Sequence, residues 1–156
     1  MDPIAEARRQ WVEHDWADAA PGMAVVTSIM RAQQVLLARI EEKLAAFDLT
    51  FARFELLRLL AFTRHGELPL GKLGVRLQVH PTSITSAVDR LEAQGFVERQ
   101  PHPTDGRTTL AVITAAGRRI VERATLVLND EVFVDLGLSA KEVEALYRLL
   151  EKVRKY

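Results

Sequence analysis

One pair of strand-like runs lies in a chain whose other apolar residues recur at helical spacing. Residues 96–99 and 108–113 flank a loop with two prolines and an Asp-Gly pair, which is typical of a β-hairpin. Elsewhere the apolar residues recur every three or four positions, as they do on one face of an α-helix. The sequence therefore predicts a mainly α fold with one β-hairpin, and we expect no other β-structure.

Long amphipathic helices are predicted on both sides of the hairpin. Residues 23–47 form the first, and Pro21 and Gly22 are expected to separate it from a leading helix over residues 4–18. After the hairpin, Thr114 caps a second long helix, and Ser139 with Glu142 fits a capping box that opens a final one. The predicted organisation is a leading helix and linker over 1–22, an N-terminal helix over 23–50, a central region over 51–113, and C-terminal helices over 114–156.

The central region has the element order of a winged helix-turn-helix. A helix capped by Thr50 and a short third helix precede one that starts at Pro81 and stops before Gly95. Hydroxyl side chains crowd the exposed face of that helix although they are poor helix formers, so a partner outside the helix is the better reason for them. A helix of this kind fits the DNA major groove, and its expected contacts are Thr82, Ser83, Thr85, Ser86 and Arg90. Arg90 either reaches a phosphate or pairs with Asp89 or Glu92.

The hairpin loop carries a basic tip. Arg107 is the charged residue placed to enter a neighbouring minor groove, whose negative potential favours arginine. Asp105 would repel phosphate, so we expect its carboxylate to pair with Arg107 or with a loop N–H group.

Composition excludes several chemistries. The chain has no cysteine, which rules out disulfides, thiolate metal sites and thiol-based sensing, and its four histidines lack metal-ligand spacing. No cofactor motif is present.

The charges are unevenly distributed along the chain. Lys and Arg equal Asp and Glu at 21 each, but residues 51–123 hold eleven basic and seven acidic residues, so the basic centre suits a phosphate-bearing partner. No apolar run reaches the length of a membrane span and the N-terminus is charged, so we expect a cytoplasmic protein.

The segments 91–97 (LEAQGFV) and 105–114 (DGRTTLAVIT) carry a specific resemblance. They resemble the MarR family of bacterial transcriptional regulators, whose wing has Asp-x-Arg before a Leu-Thr-like strand end; here Ile113 replaces the usual leucine before Thr114. The resemblance is close over residues 70–117. It implies a homodimer with interlocked N- and C-terminal helices that binds a palindromic operator and is released by a small ligand.

A narrower resemblance concerns the effector. Urate-responsive members have a leading helix with a tryptophan, and the resemblance implies an anion pocket formed by Trp16, Glu55 and Arg99. Glu55 stands where that subgroup has aspartate, and Ala87 stands where it has an arginine, so the resemblance implies an organic-anion ligand without specifying urate. A tryptophan on an appended helix is also a common packing anchor, which is the alternative role of Trp16.

The sequence as a whole predicts a cytoplasmic, homodimeric, DNA-binding regulator, with repression favoured over activation. The main alternative is a winged-helix adaptor whose wing and recognition helix bind another protein instead of DNA. A small helical enzyme is the third interpretation, and it lacks a catalytic constellation in the sequence.

Overall fold

The computed structural model describes residues 1–155, which are mainly helical and carry a small antiparallel sheet, so the predicted fold class is confirmed. The elements are α1 (Pro3–Glu13), α2 (Ala20–Leu44), α3 (Phe51–Phe62), β1 (Glu67–Pro69), α4 (Leu70–Leu77), α5 (Pro81–Ala93), β2 (Val97–Pro101), β3 (Thr109–Ile113), α6 (Ala115–Leu128) and α7 (Ala140–Arg154). Two compact units are formed by Met1–Glu42 and by the chain from Lys43 onward. None of the helices in residues 1–155 is both long and apolar enough to cross a membrane.

The N-terminal unit differs from the prediction at its helix ends. Helix α1 starts after Asp2, whose carboxylate accepts the N–H of Ile4 at 2.9 Å, and it stops at Glu13 shortly before Asp15 adopts a left-handed conformation with φ 64°. The expected break at Pro21 and Gly22 was wrong, because α2 already begins at Ala20. Proline is tolerated in a first helical turn, where its missing N–H would have no intrahelical partner.

The second unit contains a three-stranded sheet in the order β1-β3-β2. Strands β2 and β3 form the predicted hairpin, with Val97 opposite Ile113 and Pro101 opposite Thr109. The expectation of no further β-structure was wrong, since Leu68 in β1 pairs with Ala111 on the other edge of β3. Strand β1 has three residues and obtains its hydrogen bonds from a strand far away in the sequence, so local pattern did not reveal it.

Helix α3 is central to the core of the second unit, in contact with α5, α6 and β3. As predicted, the Thr50 hydroxyl caps α3 by accepting the N–H of Arg53, and Thr114 caps α6 by accepting the N–H of Gly117 at 3.0 Å. Gly117 is required for packing, because a Cβ there would overlap the carbonyl oxygen of Phe96. The fully buried large side chains of this core are Leu44, Leu56, Leu57, Leu60, Leu73, Val88, Leu91, Val97, Val121, Leu128 and Val132.

Helix α7 is stabilised locally and buries none of its residues. The predicted capping box is present in both directions: Glu142 accepts the N–H of Ser139 at 2.8 Å, and Ser139 accepts the N–H of Glu142 at 3.3 Å. Its apolar residues recur at helical spacing and are exposed in this chain, namely Val143, Leu146, Tyr147, Leu149 and Val153. Helix α2 carries a similar exposed set, formed by Val25, Val26, Met30, Val35 and Leu36.

Candidate nucleic-acid interface

Helix α5 begins with a histidine cap. Pro81 occupies the first helical position, and the His80 side chain accepts the N–H of Thr82 through Nδ1 at 3.1 Å. Ile84, Val88 and Leu91 face the core, which fixes the rotation of the helix about its axis. The opposite face is therefore held toward solvent.

That face carries the residues predicted to read DNA. Thr82, Ser83, Thr85, Ser86 and Arg90 are all exposed. The Thr85 hydroxyl donates to the carbonyl of Pro81 at 3.2 Å, so one of its two hydrogen-bonding roles is satisfied within the helix. The other three hydroxyls form no hydrogen bond to any of residues 1–155 and are available to an external partner.

The acidic neighbours of Arg90 pair with a different arginine. Arg99 in β2 contacts Asp89 at 2.5 Å and Glu92 at 3.2 Å, and its backbone N–H also donates to Glu92 at 2.8 Å. Of the two roles predicted for Arg90, pairing with Asp89 or Glu92 is therefore absent from the described part of the chain. The exposed guanidinium of Arg90 is available to an anion.

The wing loop is built around two side-chain acceptors. His102 Nδ1 accepts the N–H groups of Thr104 and Asp105, both at 3.2 Å. The Asp105 carboxylate accepts the N–H of Arg107 at 3.0 Å and the hydroxyl of Thr108 at 2.9 Å. Of the two partners proposed for Asp105, the structure selects the loop N–H.

These bonds also determine the electrostatics of the wing. The N–H of Arg107, followed by the Thr108 hydroxyl, stabilises the ionised form and lowers the pKa of Asp105. The guanidinium of Arg107 is exposed and forms no ion pair with any residue from 1 to 155. Asp105 therefore organises the loop, while Arg107 projects an unneutralised charge.

Two grooves border these elements. The first, of about 480 Å³, lies between the N-terminal part of α3 and the exposed face of α5; its lining includes Arg53, Thr82, Ser83, Ser86 and Arg90. The second, of about 420 Å³, lies beside the wing, and its lining includes Lys72, Arg107 and Thr108. Both grooves are basic, as a surface that receives phosphate groups must be.

The three residues of the predicted anion pocket have separate surroundings. Trp16 belongs to the N-terminal unit, is about half exposed, and stacks on His14 at a ring distance of 5.8 Å. Glu55 and Arg99 belong to the second unit; burial raises the pKa of Glu55, while Arg99 pairs with Asp89 and Glu92 instead of with Glu55. The pocket remains a prediction.

Sequence reasoning overlooked Arg53, Lys72, His80 and His102. Pro81 at a first helical position implies a cap at the preceding residue, which was a usable signal for His80. Lys72 and His102 had no distinguishing pattern. The role of Arg53 depends on Gln94, which lies 41 residues away and was brought close by the fold.

The fold and this surface define a winged helix-turn-helix protein. Residues 49–109 match the model of the MarR family. The chain is 34% identical over 119 residues to the multiple antibiotic resistance protein MarR of Escherichia coli, covering 73% of this chain and 79% of that protein. The chain therefore belongs to the MarR family of transcriptional regulators.

Solved structures agree with this assignment. Sco5413, a MarR family transcriptional regulator from Streptomyces coelicolor, is 47% identical, with a TM-score of 0.79 over 86% of this chain and 93% of that one. A mutant MarR from E. coli complexed with operator DNA is 28% identical, with a TM-score of 0.78 over 86% of this chain and 96% of that one. The chain spans about half the length of some curated relatives, matching 49% of a regulator from Mycobacterium leprae.

Proposed function

We propose that this protein is a sequence-specific DNA-binding transcriptional regulator, and that it acts as a repressor. The main support for DNA binding is the exposed hydroxyl face of α5 together with Arg107 of the wing, which forms no ion pair within residues 1–155. Hydroxyls and arginine are suited to base edges, phosphates and the minor groove, and the MarR complex with operator DNA supports the same use here. Such a protein works on chromosomal DNA in the bacterial cytoplasm and has no catalytic activity.

The proposed active form is a homodimer on a palindromic operator. The exposed apolar residues of α2 and those of α7 support this, because an exposed apolar helix face is normally covered by a partner. A two-fold symmetric dimer carries two copies of α5, so its half-sites are expected about one helical turn, roughly 10 base pairs, apart.

The proposed signal is a small organic anion. Apolar walls with Trp16 and a guanidinium from Arg99 would bury a planar ring and pair with its carboxylate. The ligand releases DNA only if it prefers one arrangement of the two recognition helices over the other. Since an ionised carboxylate repels an anion, Glu55 would either accept a hydrogen bond from an N–H group of the ligand or lie outside the pocket.

The direct test is fluorescence anisotropy with duplex DNA from upstream of the chain's own coding region, repeated over a range of salt concentrations. We expect tight binding that weakens steeply with salt, and footprints with two symmetric halves. A protein that binds no DNA but captures a protein partner through α5 and the wing would instead be the winged-helix adaptor.

Two sets of substitutions divide the interface by role. Arg107→Ala is expected to weaken binding to all sequences and to flatten the salt dependence, whereas Ser83→Ala or Ser86→Ala changes the preference at particular bases. Unchanged affinity of Arg107→Ala at physiological salt would refute the wing contact.

The effector pocket has its own test. Both tryptophans lie in the N-terminal unit, so an organic acid that binds there should quench intrinsic emission and weaken DNA binding. Arg99→Ala is expected to abolish both responses, and Trp16→Phe to remove most of the emission change. If neither variant alters the response to an active acid, Trp16 is a packing anchor and the pocket lies elsewhere.

A further inference from the structure

Arg53 is the buried charged residue of the described chain, with a side chain held inside the second unit near the start of α3 and only 9% of the residue exposed. Its Nε donates to the Thr50 hydroxyl at 3.3 Å, and its Nη1 donates to the carbonyl of Asp48 at 3.0 Å and to Gln94 Oε1 at 2.6 Å. Gln94 is itself fixed, because its Nε2 donates to the same Asp48 carbonyl at 2.7 Å and to the Asp48 carboxylate at 3.1 Å. The guanidinium is thus held in place from two sides.

The acceptors of this guanidinium are all neutral. They are a hydroxyl, a backbone carbonyl and a side-chain amide, and no carboxylate in residues 1–155 lies within ion-pair distance of Arg53. Its Nη2 nitrogen has no hydrogen-bond acceptor in that same stretch of chain. A guanidinium stays charged in proteins, and a buried charge without a counter-charge is costly. The guanidinium, with neutral acceptors and one nitrogen free to bond outward, is therefore suited to an anion from outside the chain.

The place for that anion is the 480 Å³ groove that Arg53 lines. Arg90 lines the same groove, also without an ion pair in the described residues, and the hydroxyl side chains of Ser83 and Ser86 border it. Two guanidinium groups with hydroxyl donors suit an oxyanion with several acceptor oxygens, as in Arg–phosphate pairing. Ser83 and Ser86 also belong to the exposed face of α5, so this groove borders the surface that is proposed to contact DNA bases.

We propose that Arg53 and Arg90 form a preformed binding site, the phosphate seat, for one DNA backbone phosphodiester in each protomer. This deepens the proposed function and rests on it. A prepositioned, mostly buried guanidinium loses little conformational freedom on binding, so its contact fixes the position of α5 on the duplex. A free oxyanion such as inorganic phosphate has the same chemistry, and the experiment separates the two sources.

The experiment measures DNA affinity against salt concentration for the full-length parent protein and for Arg53→Gln. The DNA is a duplex selected from a random-sequence pool by its binding to the parent protein. Each lost phosphate contact lowers the slope of log affinity against log salt by about 0.9, so a dimer with two seats loses about 2. We expect affinity at physiological salt to fall at least about 10-fold. Arg53→Lys keeps the charge, so it should retain the slope while losing part of the affinity.

Arg58→Gln is the matched control. Arg58 lies on the same helix, but its Nη1 pairs inside the unit with Glu122 at 3.0 Å and Thr125 at 3.1 Å. Loss of this arginine should lower the unfolding temperature and leave the salt slope unchanged. If Arg53→Gln behaves in the same way, its role is structural and the phosphate seat is refuted.

The remaining outcomes are equally distinct. Inorganic phosphate is titrated against the parent and against Arg53→Gln, and the unfolding temperature is recorded without DNA. Stabilisation that needs Arg53, combined with an unchanged DNA salt slope, would assign the groove to a free anion and overturn the DNA contact. If the parent protein binds no duplex, the proposed function is wrong and this inference is wrong with it. If the parent binds the duplex and Arg53→Gln has the same salt slope as the parent, only this inference is wrong.

Discussion

The winged-helix region and the terminal helices use similar apolar residues with opposite results. In α3, Leu56, Leu57 and Leu60 are completely buried. In α7, Leu146 and Leu149 remain 43% and 60% exposed, although the helix is well capped. The difference lies in the surroundings: α3 is covered by α5, α6 and β3, whereas α7 buries none of its own residues.

This contrast shows which part of the fold is complete within one chain. Burying a leucine side chain stabilises a protein by about 1.5–3 kcal/mol, and the winged-helix region gains this from its own residues. The exposed residues of α7 gain it only when a partner covers them, and a second copy of the chain is the partner we propose. The terminal helices should therefore respond to protein concentration, and the winged-helix core should not.

The largest expected effect comes from placing a charge in the apolar face of α7. Leu146→Glu would put two carboxylates into the proposed symmetric dimer interface, and we expect the dimer dissociation constant to rise by about 1000-fold or more, equivalent to about 4 kcal/mol. Sedimentation at several concentrations measures this. Lys141→Glu, on the same helix outside the apolar face, is the control; equal behaviour of the two variants would mean that α7 is not in an interface.

A cavity in the winged-helix core should cost about 3 kcal/mol irrespective of concentration. Leu60→Ala removes a fully buried side chain, and substitutions of this kind lower the free energy of unfolding by about 2–5 kcal/mol. Leu149→Ala makes the same chemical change on α7, and its effect should appear only where the dimer is populated. Denaturant unfolding at two protein concentrations tests both, and a concentration-dependent loss confined to Leu60→Ala would reverse the comparison.

The helix caps provide a smaller contrast. Ser139→Ala removes the cap of α7 and is expected to cost about 1 kcal/mol. Thr114→Ala should cost about 2 kcal/mol, because its hydroxyl also donates to the carbonyl of Gly95 at 2.7 Å and so joins α6 to the end of α5. Thermal unfolding of both variants gives the order, and a larger loss for Ser139→Ala would contradict it.

The smallest effect is expected from pH. Burial gives Glu55 a higher pKa in the folded than in the unfolded protein, so the folded state binds its proton more tightly. The contribution of Glu55 to stability is therefore greatest below its ordinary pKa and declines as pH rises through the raised value. Glu55→Gln should stabilise the protein at neutral pH by less than about 1 kcal/mol, since the residue is partly exposed. Glu98→Gln, at an exposed position in β2, is the control and should change little.

Local signals in the sequence were sufficient for the helix caps and for the hairpin. Thr50, Thr114 and Ser139 act on donors within a few residues, so their roles depend little on tertiary structure. Strand β1 was missed because its partner lies more than 40 residues away. Pro21 was misread because proline commonly marks a helix boundary but is also accepted in the first turn of a helix, where Pro21 lies in α2.

The candidate site divides in the same way. The exposed hydroxyls of α5 were predicted, since helical periodicity separates them from Ile84, Val88 and Leu91. The partners of Arg99 were not predicted, because Asp89 and Glu92 lie ten and seven residues earlier, respectively, on another element. Arg53 had no local signal at all: its charge became informative only when the structure showed neutral acceptors around it.

The link between Arg99 and the carboxylates of Asp89 and Glu92 has a mechanical consequence. Two ion pairs from the Arg99 guanidinium connect the start of the wing to α5, and the backbone N–H of Arg99 adds a hydrogen bond to Glu92. A rotation of α5 is therefore expected to move the start of the hairpin with it. In the proposed regulator, an effector that tilts α5 would move the wing with it, so the DNA contacts of α5 and of the wing in one protomer would be made or lost together.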